Sequence, residues 1–188
     1  MTGRRERNKI QRRKTIQLVG LQLFAEQGYD QTTIADIAEA ADVALRTVSL
    51  YYPTKLDIAL SAVDEIYEDL FPTLAAHGSR DTLIDILEQW LRRTMAERDR
   101  EMLDLLAQAY KRTPELEAQA RTRTQPNAQL AVALLTKELG GADDMVNLVG
   151  TLIRVAVNHL LMLPATADTE RVVTTTMAFL RAGIAAIR

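Results

Sequence analysis

A chain of 188 residues, 47% of them hydrophobic, has enough apolar material to bury a substantial core, which excludes wholesale disorder. With 8 Gly, 5 Pro and no period-two runs of β-branched residues, in a chain rich in Ala and Leu, it excludes a β architecture and points to an all-α fold of about nine helices. Net charge is only −2, but residues 4–14 hold seven basic side chains and one acid, and residues 61–188 hold fourteen basic and eighteen acidic ones.

Several function classes drop out early. Cysteine is absent, so there is no disulfide framework, thiolate metal site or cysteine nucleophile, and a reducing cytoplasm is the expected compartment. No apolar segment follows the basic N-terminus as a secretory signal requires. No run of ~18 apolar residues exists to cross a membrane; the most apolar stretch, 145–163, is interrupted by Asn147, Arg154, Asn158 and His159. With two histidines, no metal-ligand spacing, no Gly-rich phosphate loop and no nucleophile elbow, the chain is expected to be no enzyme and to need no metal or cofactor.

Residues 1–9 read as a mobile basic arm. It is either a solubilising tail or a phosphate or minor-groove contact, with Arg4 and Arg5, and Arg12 beyond them, as candidates. The first helix is expected over 9–27, its apolar face formed by Ile16, Val19, Gly20, Leu23 and Phe24. Gly28 is a natural left-handed stop, with Tyr29 folding back on the helix end. A second helix starts at Thr33, whose spacing to Asp36 is that of a capping box, and Ile34, Ile37, Ala38 and Ala41 share its inner face. Asp42-Val43 forms the turn, where Asp takes a left-handed conformation more easily than most side chains.

The third helix, 44–51, has Val48 and Tyr52 inward, supported by Val43, and Leu45, Arg46, Ser49 and Leu50 outward. A helix in this setting suits the major groove: Arg46 can pair with guanine, Ser49 with a base or phosphate, and the leucines with thymine methyls. The other reading of that face is a solvated helix with one arginine. Pro53 stops the helix, Thr54 with Asp57 caps the next, and Lys55 in its first turn favours a bound phosphate.

Residues 16–58 resemble the DNA-binding domain of TetR-type transcriptional regulators. The likeness is carried by Ile16, Leu23-Phe24, Glu26, Gly28-Tyr29, Thr32-Thr33, Ile37-Ala38, Val43, Thr47, Tyr51-Tyr52-Pro53 and Lys55. The chain departs from the family pattern at Asp42 for a usual Gly, at Ala44 for a frequent Ser, and at Val48-Ser49 for a usual Leu-Tyr. The resemblance implies that Thr33, Thr47, Tyr51 and Lys55 hold phosphates while Leu45, Arg46, Ser49 and Leu50 face bases.

A fourth helix, 55–71, leaves the head, and Pro72, His77, Gly78 and Ser79 mark a loop over 72–80. Five more helices are expected: 81–98, 100–111, one opening at Thr113-Pro114-Glu115 and broken or kinked at Pro126, 143–163, and 168–187. In the last two, Val146, Val149, Ile153, Val157 and Leu160 form one stripe and Val173, Met177, Leu180 and Ile184 another. They are either a monomer's core or a dimer interface, and the resemblance favours a four-helix bundle between two copies. It also implies an effector site in the body, for which Trp90, Met95, Met102, Tyr110, Asn158 and His159 are the candidates, with plain core as the competing reading.

The expectation is therefore a helix-turn-helix head over 1–54 and an effector-binding and dimerisation body over 55–188. Such a protein is a homodimeric, cytoplasmic, ligand-responsive regulator, in the role of a repressor, that binds double-stranded DNA at a palindromic operator and is released by a small, mainly apolar effector. The competing classes are a DNA-binding dimer without an effector and a helical interaction module that does not touch DNA.

Overall fold

The computed structural model describes residues 3–76, 82–97, 100–140, 144–163 and 167–186, and the side chains of all of these but 127 and 128. Among them every regular element is a helix: α1 Arg4–Gln27, α2 Ile34–Ala40, α3 Leu45–Tyr51, α4 Lys55–Ala75, α5 Leu83–Glu97, α6 Arg100–Arg112, α7 Pro114–Leu139, α8 Asp144–Leu161 and α9 Thr169–Ala186. They form two compact units, Met1–Asp64 with Glu101–Thr122, and Glu65–Arg100 with Arg123–Arg188. Packing thus draws most of α6 and the start of α7 in with the head residues. The division by function into 1–54 and 55–188 stands beside it as a proposal.

Three boundaries differ from expectation. Residues 4–9 are helical, not a mobile arm, and the Glu6 and Arg7 N–H groups donate to Gly3 O at 3.0 and 3.1 Å. Arg, Lys and Glu are good helix formers, so the buried part of α1 templates its polar extension. α4 runs through Pro72 to Ala75 where a loop was expected. Proline there removes one late, exposed hydrogen bond, while Phe71 and Leu74 continue the buried face. α7 likewise continues through Pro126. His77, Gly78, Ser79 and Pro164 lie outside the described residues.

In the first unit, α1 buries Ile16, Gln17, Gly20, Leu21 and Phe24, a face turned from the expected one, and Val19 and Leu23 are only half-buried. Gln17 is fully buried, and neither its amide oxygen nor its nitrogen has a hydrogen-bond partner. A Cβ on Gly20 would lie 2.5 Å from Ile58 Cγ2, so α1 and α4 meet where only hydrogen fits. In the second unit, α5 buries Leu83, Ile84, Leu87, Trp90, Leu91, Thr94 and Met95 along one face. Its polar edge holds α9: Arg181 pairs with Asp85 at 2.7 Å and also with Glu88, and Arg92 pairs with Glu170.

Candidate nucleic-acid interface

The two short helices of the head are fixed by local chemistry. Thr33 caps α2: its hydroxyl accepts from Asp36 N–H at 3.1 Å, and Asp36 Oδ2 accepts from Thr33 N–H at 2.8 Å. These bonds, the backbone one first, hold the Asp36 carboxyl below its ordinary pKa. At the other end Val43 N–H donates to Ala38 O at 3.0 Å and Asp42 N–H to Glu39 O at 3.1 Å. That is the paired bonding of a Schellman stop, with Asp42 in the left-handed position at φ 51. Asp42 therefore does the work that glycine does elsewhere.

α3 starts without a side-chain cap, because Ala44 has no hydroxyl to offer. It buries Val48 completely, and Tyr52 just beyond it is 2% exposed. Its other face is bare: Leu45 is 52% exposed and Leu50 79%, while Arg46 and Ser49 are also exposed. The Ser49 hydroxyl donates back to Leu45 O at 3.4 Å. A seven-residue helix thus buries one side completely and leaves two leucines in solvent on the other.

The surroundings set the direction of this face. Tyr52 O–H donates to Arg13 O at 3.2 Å, and the Arg13 guanidinium lies over the Tyr52 ring at 5.6 Å. Gly28 ends α1 at φ 96 and ψ 153, a region open only to glycine; it is not the left-handed helical conformation expected. Tyr29 does fold back, its ring 5.2 Å from Phe24. Burial raises its hydroxyl pKa, with the Asp30 and Asp57 charges adding to the effect. Thr32, fully buried, donates to Gly28 O at 2.8 Å.

Lys55 has a duty the sequence did not reveal. Its Nζ donates to Tyr29 O at 2.7 Å and Thr32 O at 2.9 Å and sits 4.2 Å from the Tyr29 ring centre. Two of its three donors fasten the α1–α2 connection to the start of α4. Thr113 at the α6–α7 junction was also missed: its hydroxyl accepts from Tyr29 N–H at 3.3 Å. No sequence pattern links positions 84 residues apart. Among the other candidates, Thr33, Arg4, Arg5 and Arg12 are exposed, and Thr47 and Tyr51 half-buried.

The body candidates scatter. Trp90 is 1% exposed, its indole N–H donating to Asp69 at 2.7 Å, and Met95 is buried with it. Both are core of the second unit, whereas Met102 and Tyr110 belong to the first. Asn158 accepts from Tyr67 O–H at 3.1 Å, and His159 is exposed. Burial raises the Tyr67 pKa, against the Thr124 hydrogen bond and the Arg154 charge.

The expected dimer stripe is buried in the single chain for all but one of its residues. Val146, Val149, Val157, Leu160, Val173, Met177, Leu180 and Ile184 are buried within one chain, and Ile153 is half-buried. They take part in the packing of α8 and α9 within the chain. The apolar side chains left in solvent are Met145, Leu148, Leu152 and Val155 on α8 and Phe179 on α9.

Comparison with known proteins accords with the head geometry. Residues 18–62 match the model of the bacterial regulatory proteins of the tetR family. The HTH-type transcriptional regulator TcmR of Streptomyces glaucescens is 26% identical over 151 residues, 76% of this chain and 67% of that protein. GusR of Salmonella enterica superposes with a TM-score of 0.69 at 19% identity, covering 94% of this chain and 96% of that one. The transcriptional regulator FadR from Bacillus subtilis, solved with stearoyl-CoA, gives 0.66 at 17% identity, covering 90% and 98%.

Proposed function

We propose that the chain, whose residues 18–62 match the model of the bacterial regulatory proteins of the tetR family, is a transcriptional regulator of that kind: a cytoplasmic repressor that binds a palindromic operator as a homodimer and is released by a small, mainly apolar effector. The observation that carries the DNA contact is the outward face of α3, with Leu45 and Leu50 in solvent beside the exposed Arg46 and Ser49. The two exposed leucines suit thymine methyls, and Arg46 between them suits a guanine edge.

Thr33, Thr47 and Tyr51 flank that face as phosphate contacts. Thr33 is exposed at the start of α2, its hydroxyl beside the free N–H groups of that helix end. Lys55 supports the contact by holding the preceding loop, its Nζ donating to Tyr29 O and Thr32 O. Arg4, Arg5 and Arg12 add charge from α1. Arg5 and Lys9, like Lys9 and Arg13, are like charges one turn apart, a repulsion that a phosphate backbone relieves.

The second copy docks on the α8 face of Met145, Leu148, Leu152 and Val155, whose spacing is that of a helix–helix seam, with Phe179 at its side. Two-fold pairing of the readers gives the operator its palindromy. An effector acts by binding more tightly to the conformation unsuited to DNA, and only that difference in affinity shifts the equilibrium. The solved neighbour holding stearoyl-CoA supports a ligand with an apolar body.

The test is selection of bound sequences from a random DNA pool by the full-length protein. The proposal expects enrichment of a two-half-site palindrome. Equal recovery of all sequences, or no retention at low salt, overturns it.

A further inference from the structure

α8 carries three distinct faces, and the ligand-responsive reading above uses two of them. Val146, Val149, Val157 and Leu160 enter the core, and Met145, Leu148, Leu152 and Val155 stay in solvent. Between these lies a third line, Asn147, Thr151, Arg154 and Asn158, at offsets of four, seven and eleven residues. That spacing makes one polar stripe along the whole helix. Across from it α7 presents Gln125, Gln129 and Val132, and the two helices enclose a groove of ≈ 240 Å³ lined by these three with Asn147, Gly150, Thr151 and Arg154.

The groove is open to solvent: Gln125, Gln129, Asn147 and Thr151 are exposed along it, and Arg154 is half-buried. A Cβ on Gly150 would lie 2.7 Å from Val132 Cγ2, so the helices touch at this point and give the groove an apolar floor. Arg154 is half-buried and, among the described residues, forms no salt bridge. Its charge is felt at the Tyr67 hydroxyl, which in turn donates to Asn158 further along the stripe. The Thr151 hydroxyl donates to Asn147 O at 3.0 Å, which leaves its oxygen as an acceptor.

We propose that the α7–α8 groove is the effector site's polar end and takes a small organic acid: the carboxylate on Arg154, amide hydrogen bonds from Gln125, Gln129 and Asn147, and the apolar body on Val132 and Gly150. The guanidinium fork matches a carboxylate with two parallel bonds, and the amides adapt as donors or acceptors around it. The volume lies below the usual range of about 300–1,000 Å³ for ligand pockets, so it fits a head group and a short body. This rests on the reading of the chain as a ligand-responsive regulator and adds the charge class that the apolar reading lacked.

The experiment titrates the full-length protein calorimetrically with benzoate and hexanoate and with their neutral amides, benzamide and hexanamide. In parallel, release of the selected operator is followed by fluorescence anisotropy. The proposal expects at least one acid to bind tenfold or more tightly than its amide. Arg154→Met should abolish that preference with helicity unchanged by circular dichroism, and Gln129→Leu, at an exposed position, should weaken the acid about threefold or more. Acids and amides that bind alike, acids that do not bind, or a preference that survives Arg154→Met overturns the site. Operator release by the amides alone keeps the regulatory reading and sinks this one. Acid binding that depends on Arg154 without operator release supports the site and overturns the regulatory reading.

Discussion

Replacing Lys55 by Met separates two roles that the sequence alone would merge. The variant keeps most of the aliphatic stem beside the Tyr29 ring but removes the donors to Tyr29 O and Thr32 O, which lie at 2.7 and 2.9 Å. Hydrogen bonds from a charged donor contribute about 1.5–3 kcal/mol each. Lys55 is half-buried, so water can partly replace the lost donors, and the expected loss for the pair is about 2–3 kcal/mol. The ammonium over the Tyr29 ring at 4.2 Å adds about 0.5–1 kcal/mol. Urea unfolding should show the loss as a lower midpoint. Operator affinity should fall, because the loop that orients α2 and α3 is loosened. The slope of log affinity against log salt should change by less than the ~0.9 that one lost phosphate contact causes. A stable Lys55→Met protein whose slope drops by a full contact would refute the loop-fastening role and return the residue to the DNA backbone.

Other consequences follow from single features of the fold. Asp42→Gly should stabilise the head or leave it unchanged, and Asp42→Val should cost about 1–2 kcal/mol, since φ 51 burdens a branched side chain; a harmless valine in thermal unfolding would contradict that geometry. Ala44→Ser should add the missing cap on α3 and raise stability by about 1 kcal/mol, read from the urea midpoint. Leu152→Glu should give a folded monomer in sedimentation, whereas an intact dimer would move the interface off this α8 face. The Asp85 carboxyl is held down from 3.8 to about 2, first by the Thr82 hydroxyl and then by Arg181. A depressed carboxylate stabilises above its unfolded pKa and loses that contribution as pH falls through its folded one. The melting-temperature gap between wild type and Asp85→Asn should therefore stay constant above about pH 5 and close as pH falls toward 2; a pH-independent gap would contradict the assignment.

Much of the head was legible because its signals are local. Thr33 with Asp36 and Thr54 with Asp57 form the capping arrangements that their spacing predicts. The Asp42 turn and the two faces of α3 followed in the same way from adjacent residues. The misreadings have a common physical source. Gln17 enters the core of α1 and turns its buried face, which hydrophobic periodicity cannot anticipate for a polar side chain. Lys55 and Thr113 act through carbonyl and amide groups far away in sequence, so nothing near them marks the contact. The dimer stripe shows the opposite limit: α8 is apolar on two faces, and periodicity does not say which one the chain buries. Asn147, Arg154, Asn158 and His159 stood in the sequence as interruptions of an apolar run, and the spacing of Thr151 joins the first three into one stripe. The structure sets it beside Gln125 and Gln129 of α7 along one groove, which the sequence does not reveal.

The central claim is that the outward face of α3 reads bases, and Arg46 is its only charged side chain. The most direct measurement is the affinity of Arg46→Ala for the selected operator and for random duplex at the same salt. The account predicts a loss of about 1–3 kcal/mol on the operator and far less on random DNA, with preference relaxed at the base pair that Arg46 contacts. Equal losses on both, with no position relaxed, would contradict it.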